Sequence, residues 1–306
     1  MPRTEQEYRA ARETYAELGI DTDQAIETLA SIPLSIHCWQ GDDVIGFDGA
    51  KSLSGGILST GSYPGRARNA EELRSDAVFA FSLIPGKKRF NLHAMYAETG
   101  GAKVDRCDLE PRYYEFWIEW AKQQHIGLDF NPTFFSHPLA ESGWTLAHPD
   151  NDIRDFWIRH GKASRRIAQS IADTLKDHVV NNLWVPDGYK DMPADRLGPR
   201  LRLKESLDAI YSEKLPNDRV LDSVESKLFG IGSEAYVAGS HEFYLGYATQ
   251  KAIGLCYDMG HFHPTENIAD KISSTLLYVP YLIIHLSRGL RWDSDHIVVW
   301  NDSLTD

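Results

Sequence analysis

The segment IRDFWIRHGKASRRIAQSIADTLKDHVVNNLWVPDG (residues 153–188) contains the unit that decides the fold. Its first part, residues 153–177, has the apolar periodicity of an amphipathic helix. The run VVNNLWVPDG, which begins at residue 179, is short and rich in apolar residues, and it ends in Pro and Gly, as buried strands often do. Because no hairpin turn lies between elements of this kind, the pattern predicts strands that are joined by helices and run parallel.

Short apolar runs of this kind recur along the chain, and stretches of helical periodicity separate them. One such helix lies in PRYYEFWIEWAKQQ (residues 111–124), where Tyr113, Trp117 and Trp120 share a face. The number of repeated units predicts an α/β fold, a (β/α)8 TIM barrel rather than an open doubly wound sheet. The predicted strands lie in LSIHCW (34–39), RFNLHAM (89–95), IGLDFNP (126–132), VVNNLWVPDG (179–188), RVLDSVESK (219–227), AIGLCYDMG (252–260) and YLIIHLS (281–287).

The composition excludes several classes of protein. The chain has 306 residues, 42% of them hydrophobic, and a net charge of −12, which disfavours nucleic acid or an anionic membrane as partner because both would repel it. Cys38, Cys107 and Cys256 form no C-x-x-C pair, so neither a disulfide framework nor a thiolate zinc site is expected, and a reducing cytoplasm is the predicted compartment. The longest apolar run, residues 274–287, is too short to cross a bilayer.

The chain shows no internal repeat or linker, so we predict a single barrel domain over residues 1–306, with a helical segment at about residues 1–30. That first segment lacks an apolar stretch and is not a signal peptide. The loop of residues 51–69 is rich in Gly and Ser and carries Arg66 and Arg68, which could cradle a phosphate. It fits no phosphate-binding motif, so a structural excursion is the preferred interpretation.

Polar side chains recur where the predicted strands end. Parallel strands deliver their carboxyl ends to one rim of a barrel, and barrel enzymes build their sites there. For any one of these residues, a hydrogen-bonded polar group at a strand end is the simpler interpretation, but their recurrence favours a shared site. They are His37, Trp39, His93, Asp129, Asn131, Asp187, Glu225, Lys227, Asp258, His261 and His285.

The last three strands and the segment RWDSDH (291–296) offer metal ligands. Their carboxylates and imidazoles are Glu225, Asp258, His261, His285, Asp293 and Asp295. Lys227 follows Glu225 by two residues, so an amine and an acid would share one pocket. Oxygen and imidazole ligands suit Mn²⁺, Mg²⁺, Co²⁺ or Zn²⁺, with Mn²⁺ as the natural compromise, and two ions could share the set. A solvated loop remains the alternative.

Eight motifs together resemble the L-rhamnose isomerase family, which has xylose-isomerase-like barrels. The resemblance extends from the first strand to the last residues. It implies a metal-dependent aldose-ketose isomerase that converts L-rhamnose to L-rhamnulose in rhamnose catabolism. The motifs are SIHCWQGDDVIGF (35–47), YPGRARNAEELR (63–74), LDFNPTFFSHPL (128–139), WIRHGKASRR (157–166), WVPDGYKD (184–191), VESKLFGIGSE (224–234), GHFHPTE (260–266) and RWDSDH (291–296).

The resemblance also implies two metal positions. The implied ligands are His261, Asp293 and Asp295 for a catalytic Mn²⁺, and Glu225, Asp258 and His285 for a second, structural site. Zn²⁺ or Co²⁺ is a further expectation at the second site. His263 is expected to orient His261 or its loop from outside the ligand set.

The resemblance assigns the remaining roles to five residues. Lys227 would bind the sugar oxygens and steady developing charge, while Trp39 and Trp184 would form the apolar wall on which the sugar packs. His93 would handle the ring-opening proton. Glu225 would lie near the substrate and would be the base of an enediol route. A hydride shift is the other route, and the sequence leaves both open.

Members of the family continue beyond the motif at residues 291–296 with a further strand and a helical tail. The strand carries an aspartate that completes the second metal site, so we expect this barrel to lack its final strand and tail. The alternatives are therefore a metal-binding or sugar-binding fragment without turnover, or an isomerase of a related rare aldose. A small sugar is the expected partner, and a homo-oligomer, with a homotetramer foremost, is the expected assembly of the full-length protein.

Overall fold

The computed structural model describes residues 3–37, 44–49, 63–216, 218–227, 235–263, 265–287, 298 and 300–305. The strands of its main sheet are β1 (Leu34–His37), β2 (Lys88–His93), β3 (Gly127–Asn131), β4 (Val179–Trp184), β5 (Val220–Glu225), β6 (Gly254–Asp258) and β7 (Leu282–His285). The α-helices are α1 (Arg3–Glu17), α2 (Thr22–Ser31), α3 (Ala70–Leu83), α4 (Glu115–Gln124), α5 (Asn151–Leu175), α6 (Gly198–Tyr211), α7 (His241–Lys251), α8 (Ala269–Thr275) and α9 (Asp302–Thr305). Single 3₁₀ turns cover Ala94–Tyr96, Arg106–Asp108, Pro111–Tyr114, Pro138–Ala140 and Met259–His261, and a two-stranded antiparallel ribbon joins Gly188–Tyr189 to Tyr236–Val237.

The main sheet is parallel throughout, and its strand order is the order of the chain, from β1 to β7. Each of the seven predicted strands is present, so the predicted α/β class and parallel connections are confirmed. The rings of His37 and His285, at the ends of the two outermost strands, lie with centroids 4.8 Å apart. The sheet therefore curls into a half-barrel; no pairing joins β1 to β7 in the described residues.

The register decides which side chains enter the barrel. Trp184 is paired with Glu225, and Asp258 is paired with His285. Paired residues project from the same side of a sheet and successive residues alternate, so these four side chains share the inner face. Val224 points the other way and packs into the buried cluster beneath the helices.

The apolar core lies between the outer face of the sheet and the helices. Phe90 of β2 stacks on Trp117 of α4 with ring centroids 5.8 Å apart, and Trp120 meets Phe90 edge-on at 5.5 Å. Both tryptophans are buried, as their shared helical face predicts. Burial of one such side chain contributes about 1.5–3 kcal/mol, so these contacts hold α4 firmly on the sheet.

The amino ends of the strands are filled by a network around Arg89. Its Nε lies 2.9 Å from Asp129 Oδ2, its Nη1 lies 2.5 Å from Asp177 Oδ2, and Ser35 Oγ donates to Asp129 Oδ2 at 2.7 Å. Asp129, which the sequence placed at the rim, therefore belongs to this lower layer because it pairs with Arg89. The interior remains accessible at the carboxyl ends, which is where the candidate site lies.

The first two helices lie on the surface, since neither α1 nor α2 has a buried residue. The N-cap of α2 is Asp21, whose side chain accepts from the amides of Asp23 and Gln24. The two helices cover Arg3–Glu17 and Thr22–Ser31. In the described part of the chain, every helix is too short or too polar to span a bilayer.

Candidate metal centre

A cavity of about 180 Å³ opens at the carboxyl ends of the strands. Its volume suits a small polar ligand, since it equals about six waters at their share of roughly 30 Å³ each. The lining combines acids, imidazoles and one indole with apolar edges. The lining residues are Leu34, Ser35, Ile36, His37, Asn131, Trp184, Glu225, Asp258, His261, Ile284, His285, Leu286 and Ser287.

Two acids and two imidazoles meet on the inner face of β5, β6 and β7. His261 Nδ1 lies 3.0 Å from Glu225 Oε1, and His285 Nδ1 lies 3.3 Å from the same oxygen. His285 Nδ1 is also 3.4 Å from Asp258 Oδ2. Glu225, Asp258 and His261 each offer one ligand atom, and these three atoms lie within 4.8 Å of one another. This spacing is compatible with binding of one metal ion.

The imidazole of His261 fits a metal ligand because its polar atoms lack other partners. The residue is 4% exposed, and neither ring nitrogen makes a hydrogen bond. The approach of Nδ1 to Glu225 is close but not aligned as a hydrogen bond. A buried polar atom without a partner costs about 1–3 kcal/mol, and a bound cation would remove that cost.

The electrostatics keep the acids in the form that binds cations. Burial alone would raise the pKa of the Glu225 carboxyl, but the charge of His285 and the contact with His261 hold it well below the ordinary value. Burial is likewise outweighed at Asp258, whose pKa is lowered by the charge of His261 and a hydrogen bond from His285. The pKa of His285 is raised well above its ordinary value: burial, which lowers it, is overcome by Cys256, Glu225 and Asp258.

Supporting hydrogen bonds fix both carboxylates. Asn182 Nδ2 donates to Glu225 Oε2 at 2.6 Å, and Ser223 Oγ donates to Asn182 Oδ1 at 2.8 Å. Ser287 Oγ and the Gly260 amide donate to Asp258 Oδ1. The oxygens that face the imidazoles are Glu225 Oε1 and Asp258 Oδ2, so each carboxylate presents one atom to the cavity.

Trp184 and Lys227 form one wall beside this cluster. The Trp184 ring stacks on the His261 ring at 5.8 Å with 16° between the planes. Lys227 Nζ lies 5.5 Å from the centroid of the same indole, and Phe135 meets the indole edge-on at 5.3 Å. Trp184, Lys227 and Phe135 are all buried, and of the three it is Trp184 that lines the cavity.

The imidazoles of β1 and β2 lie on the same inner face, but only one lines the cavity. His37 is a lining residue, and burial lowers its pKa to about 3, so the ring is neutral near pH 7. His93 lies behind it, with ring centroids 6.0 Å apart and His93 Nδ1 3.1 Å from Thr133 Oγ1. Burial also lowers the pKa of His93 well below its ordinary value.

Three residues that the sequence assigns to the site, Trp39, Asp293 and Asp295, lie outside the described residues. His263 is exposed, and its Nδ1 lies 2.8 Å from Thr265 Oγ1, so it organises its own loop. The sequence placed His37 at the rim by its strand-end position but gave it no role. It did not identify Asn182, Ser287 and Cys256, because Asn182 and Cys256 depend on strand register and Ser287 follows the end of β7.

Comparisons with known proteins agree with the motifs. The family model of L-rhamnose isomerase (RhaA) matches residues 3–306. The L-rhamnose isomerase of Rhodopirellula baltica is 54% identical over 301 residues, which cover 98% of this chain and 70% of that protein. The L-rhamnose isomerase of Citrobacter koseri is 55% identical over 299 residues, which cover 97% and 71%. Among solved structures, a D-tagatose 3-epimerase-like protein has a TM-score of 0.48 and 13% identity, covering 72% of this chain and 74% of that one.

Proposed function

The chain belongs to the L-rhamnose isomerase family, and from this we propose that it interconverts L-rhamnose and L-rhamnulose in the carboxyl-end cavity. It is thus an aldose-ketose isomerase with a small sugar as substrate. The assignment of this cavity as the active site rests on one observation: buried acids and imidazoles lie together beside Trp184 and Lys227. Moving hydrogen between adjacent carbons requires that both sugar oxygens be held and that developing negative charge be stabilised.

We propose Mn²⁺ as the resident ion, with Zn²⁺ or Co²⁺ also accepted at the second position. The proposed ligands are His261, Asp293 and Asp295 for the first position, and Glu225, Asp258 and His285 for the second. A divalent cation held there supplies the positive charge that polarises the sugar oxygens. The lowered pKa values of the Glu225 and Asp258 carboxyls support their part in this assignment, because both acids are ionised, whereas His285, whose pKa is raised, would lose its proton as the cation binds.

The sugar would pack on the Trp184 face, with Trp39 as the other wall in this proposal. Lys227 Nζ would donate hydrogen bonds to the sugar oxygens from its place over the indole. In this proposal His93 handles the ring-opening proton, and its lowered pKa indicates that the ring is neutral before the reaction. Glu225 Oε1 would take the proton in an enediol route, while in a hydride shift Glu225 would serve as a ligand alone.

We also propose a cytoplasmic homo-oligomer. In the described residues, Cys107 and Cys256 are both free thiols, which supports a reducing compartment. The assembly is tested by sedimentation of the purified protein: a single species larger than the monomer supports the proposal, and a monomer at micromolar concentration overturns it.

Metal removal tests the function directly. After chelation and dialysis, formation of ketose from L-rhamnose should fall to background, and addition of Mn²⁺ should restore it. L-mannose, L-lyxose and D-allose, assayed in parallel, should be poorer substrates. Faster turnover of one of these would favour the related-aldose alternative, and sugar binding without any turnover would favour a binding protein.

Replacement of Lys227 by Met separates sugar chemistry from metal binding. The change keeps the length of the side chain but removes its donors, so kcat should fall about 100-fold, the usual effect of losing one charge-stabilising donor. Metal content, measured by mass spectrometry, should not change. Lys251→Met is the matched control, since Lys251 Nζ also lies over a ring, that of Tyr247 at 5.6 Å, but it pairs with Asp208 of α6 at 2.7 Å. Equal activity of the two variants would contradict the role of Lys227.

A further inference from the structure

The strand register brings a sulfur atom to the metal centre. Cys256 of β6 is paired with Glu225 of β5, so both side chains project from the same side of the sheet. Asp258 lies two residues further along β6 and therefore shares that face. The thiol enters the barrel interior beside the Glu225 carboxylate, one layer below Asp258.

Cys256 forms a compact ligand group with two of its neighbours. Its Sγ, a Glu225 carboxylate oxygen and a His285 ring nitrogen all lie within 4.8 Å of one another. The cysteine is 0% exposed. Glu225 thus belongs to two overlapping groups, one with Asp258 and His261 and one with Cys256 and His285.

The two groups differ in the chemistry of their ligand atoms. The group with Asp258 and His261 offers oxygen and nitrogen, which suit Mn²⁺ and Mg²⁺. The group with Cys256 adds a soft sulfur, which favours Zn²⁺, Co²⁺ and Cd²⁺ over those hard ions. The unpartnered, buried ring of His261 stands between the acids and marks the cluster as a ligand set.

We propose that Cys256 is a metal ligand, and that with Glu225 and His285 it forms a position selective for thiophilic divalent ions. This inference rests on the metal centre proposed above and adds a sulfur ligand to it. On binding, the ion replaces the thiol proton, which leaves to solvent, so that a metal–sulfur bond forms as the S–H bond breaks. The position would accept Zn²⁺ or Cd²⁺ and would bind Mn²⁺ without using the sulfur.

The test is a titration of the metal-depleted full chain with Cd²⁺ alone. Binding is measured by the sulfur-to-metal charge-transfer absorption of bound Cd²⁺ in the ultraviolet. The wild type should develop this band. Cys107→Ser, a matched change at the other free thiol of the described residues, should develop it equally. Cys256→Ser should lose the band and bind Cd²⁺ at least 10-fold more weakly, while Mn²⁺ affinity should change by less than about 3-fold.

A band that persists in Cys256→Ser, or Cd²⁺ binding by the wild type without a band, overturns the proposal. If Cys256→Ser does not fold, X-ray absorption of the Zn²⁺-loaded wild type replaces it. A sulfur neighbour at about 2.3 Å supports the proposal, and a shell of only oxygen and nitrogen overturns it. If the protein turns over L-rhamnose with Mn²⁺ but shows neither the charge-transfer band nor a sulfur neighbour of the metal, this inference is wrong. The isomerase assignment would still hold.

Discussion

Replacing Glu225 by Gln should abolish turnover of L-rhamnose, with a loss of kcat/KM on the order of 1000-fold. Glu225 belongs to both ligand groups, and its Oε1 is the atom that His261 and His285 approach. An amide of the same shape carries no charge and is a poor ligand for a hard cation. A bound cation contributes several kcal/mol of charge stabilisation to the transition state. Because each 1.36 kcal/mol changes the rate tenfold, losing about 4 kcal/mol corresponds to a 1000-fold loss of kcat/KM.

Three measurements make the Glu225 result specific. Mn²⁺ content of the variant should fall, circular dichroism should show an unchanged fold, and Glu119→Gln should retain full activity because Glu119 is exposed on α4. Retention of both Mn²⁺ and more than a tenth of the activity would remove Glu225 from the ligand set. Loss of activity with full Mn²⁺ content would instead assign Glu225 to the proton-transfer step alone.

The strands could be predicted because each is short, apolar and followed by a helix with its own periodicity. β4 and α5 are the clearest case, since the helical period ends at Leu175 and the buried run begins at Val179. The carboxyl-end position of Glu225 and Asp258 followed from the same parallel topology. These inferences need only local pattern and one topological rule.

Contacts that depend on register could not be predicted. Cys256 is 31 residues from Glu225 in sequence, and only the pairing of β5 with β6 places them side by side. Sequence reasoning dismissed the cysteines for lack of a C-x-x-C spacing, but a ligand set formed across strands needs no such spacing. The difference in burial between two neighbouring imidazoles is also a feature of the fold: His261 lies in the turn at Met259–His261 and is buried, whereas His263, two residues later, is exposed.

Replacing Arg165 by Met should lower the free energy of unfolding by about 3–5 kcal/mol, because it leaves a carboxylate buried without its counter-ion. Arg165 lies on α5, and its Nη2 is 2.7 Å from Asp222 Oδ2 on the outer face of β5. Its Nη1 also donates to the carbonyl oxygens of Ile210 at 3.3 Å and Glu213 at 2.6 Å, at the end of α6. The guanidinium therefore joins two helices to the sheet.

The neighbouring residue supplies the control. Arg166 pairs with Glu213 at 2.9 Å, but its side chain is 53% exposed. Exposed pairs contribute about 0–1 kcal/mol, so Arg166→Met should change the urea midpoint little. Equal destabilisation by the two changes would show that Arg165 acts through helix propensity or surface charge and not through the buried pair.

A double variant distinguishes the cost of an unpaired buried charge from the cost of lost hydrogen-bond donors. Adding Asp222→Asn to Arg165→Met removes the buried charge, and the new amide oxygen can still accept from Asn181 Nδ2, which lies 3.0 Å from Asp222 Oδ1. If the unpaired carboxylate is the main cost, the double variant should be more stable than Arg165→Met alone, with a coupling of about 1–3 kcal/mol. If the cost is the loss of donors to Ile210 and Glu213, the second change should recover nothing. Either result identifies which contact of the guanidinium holds α5 on β5, the strand that carries Glu225.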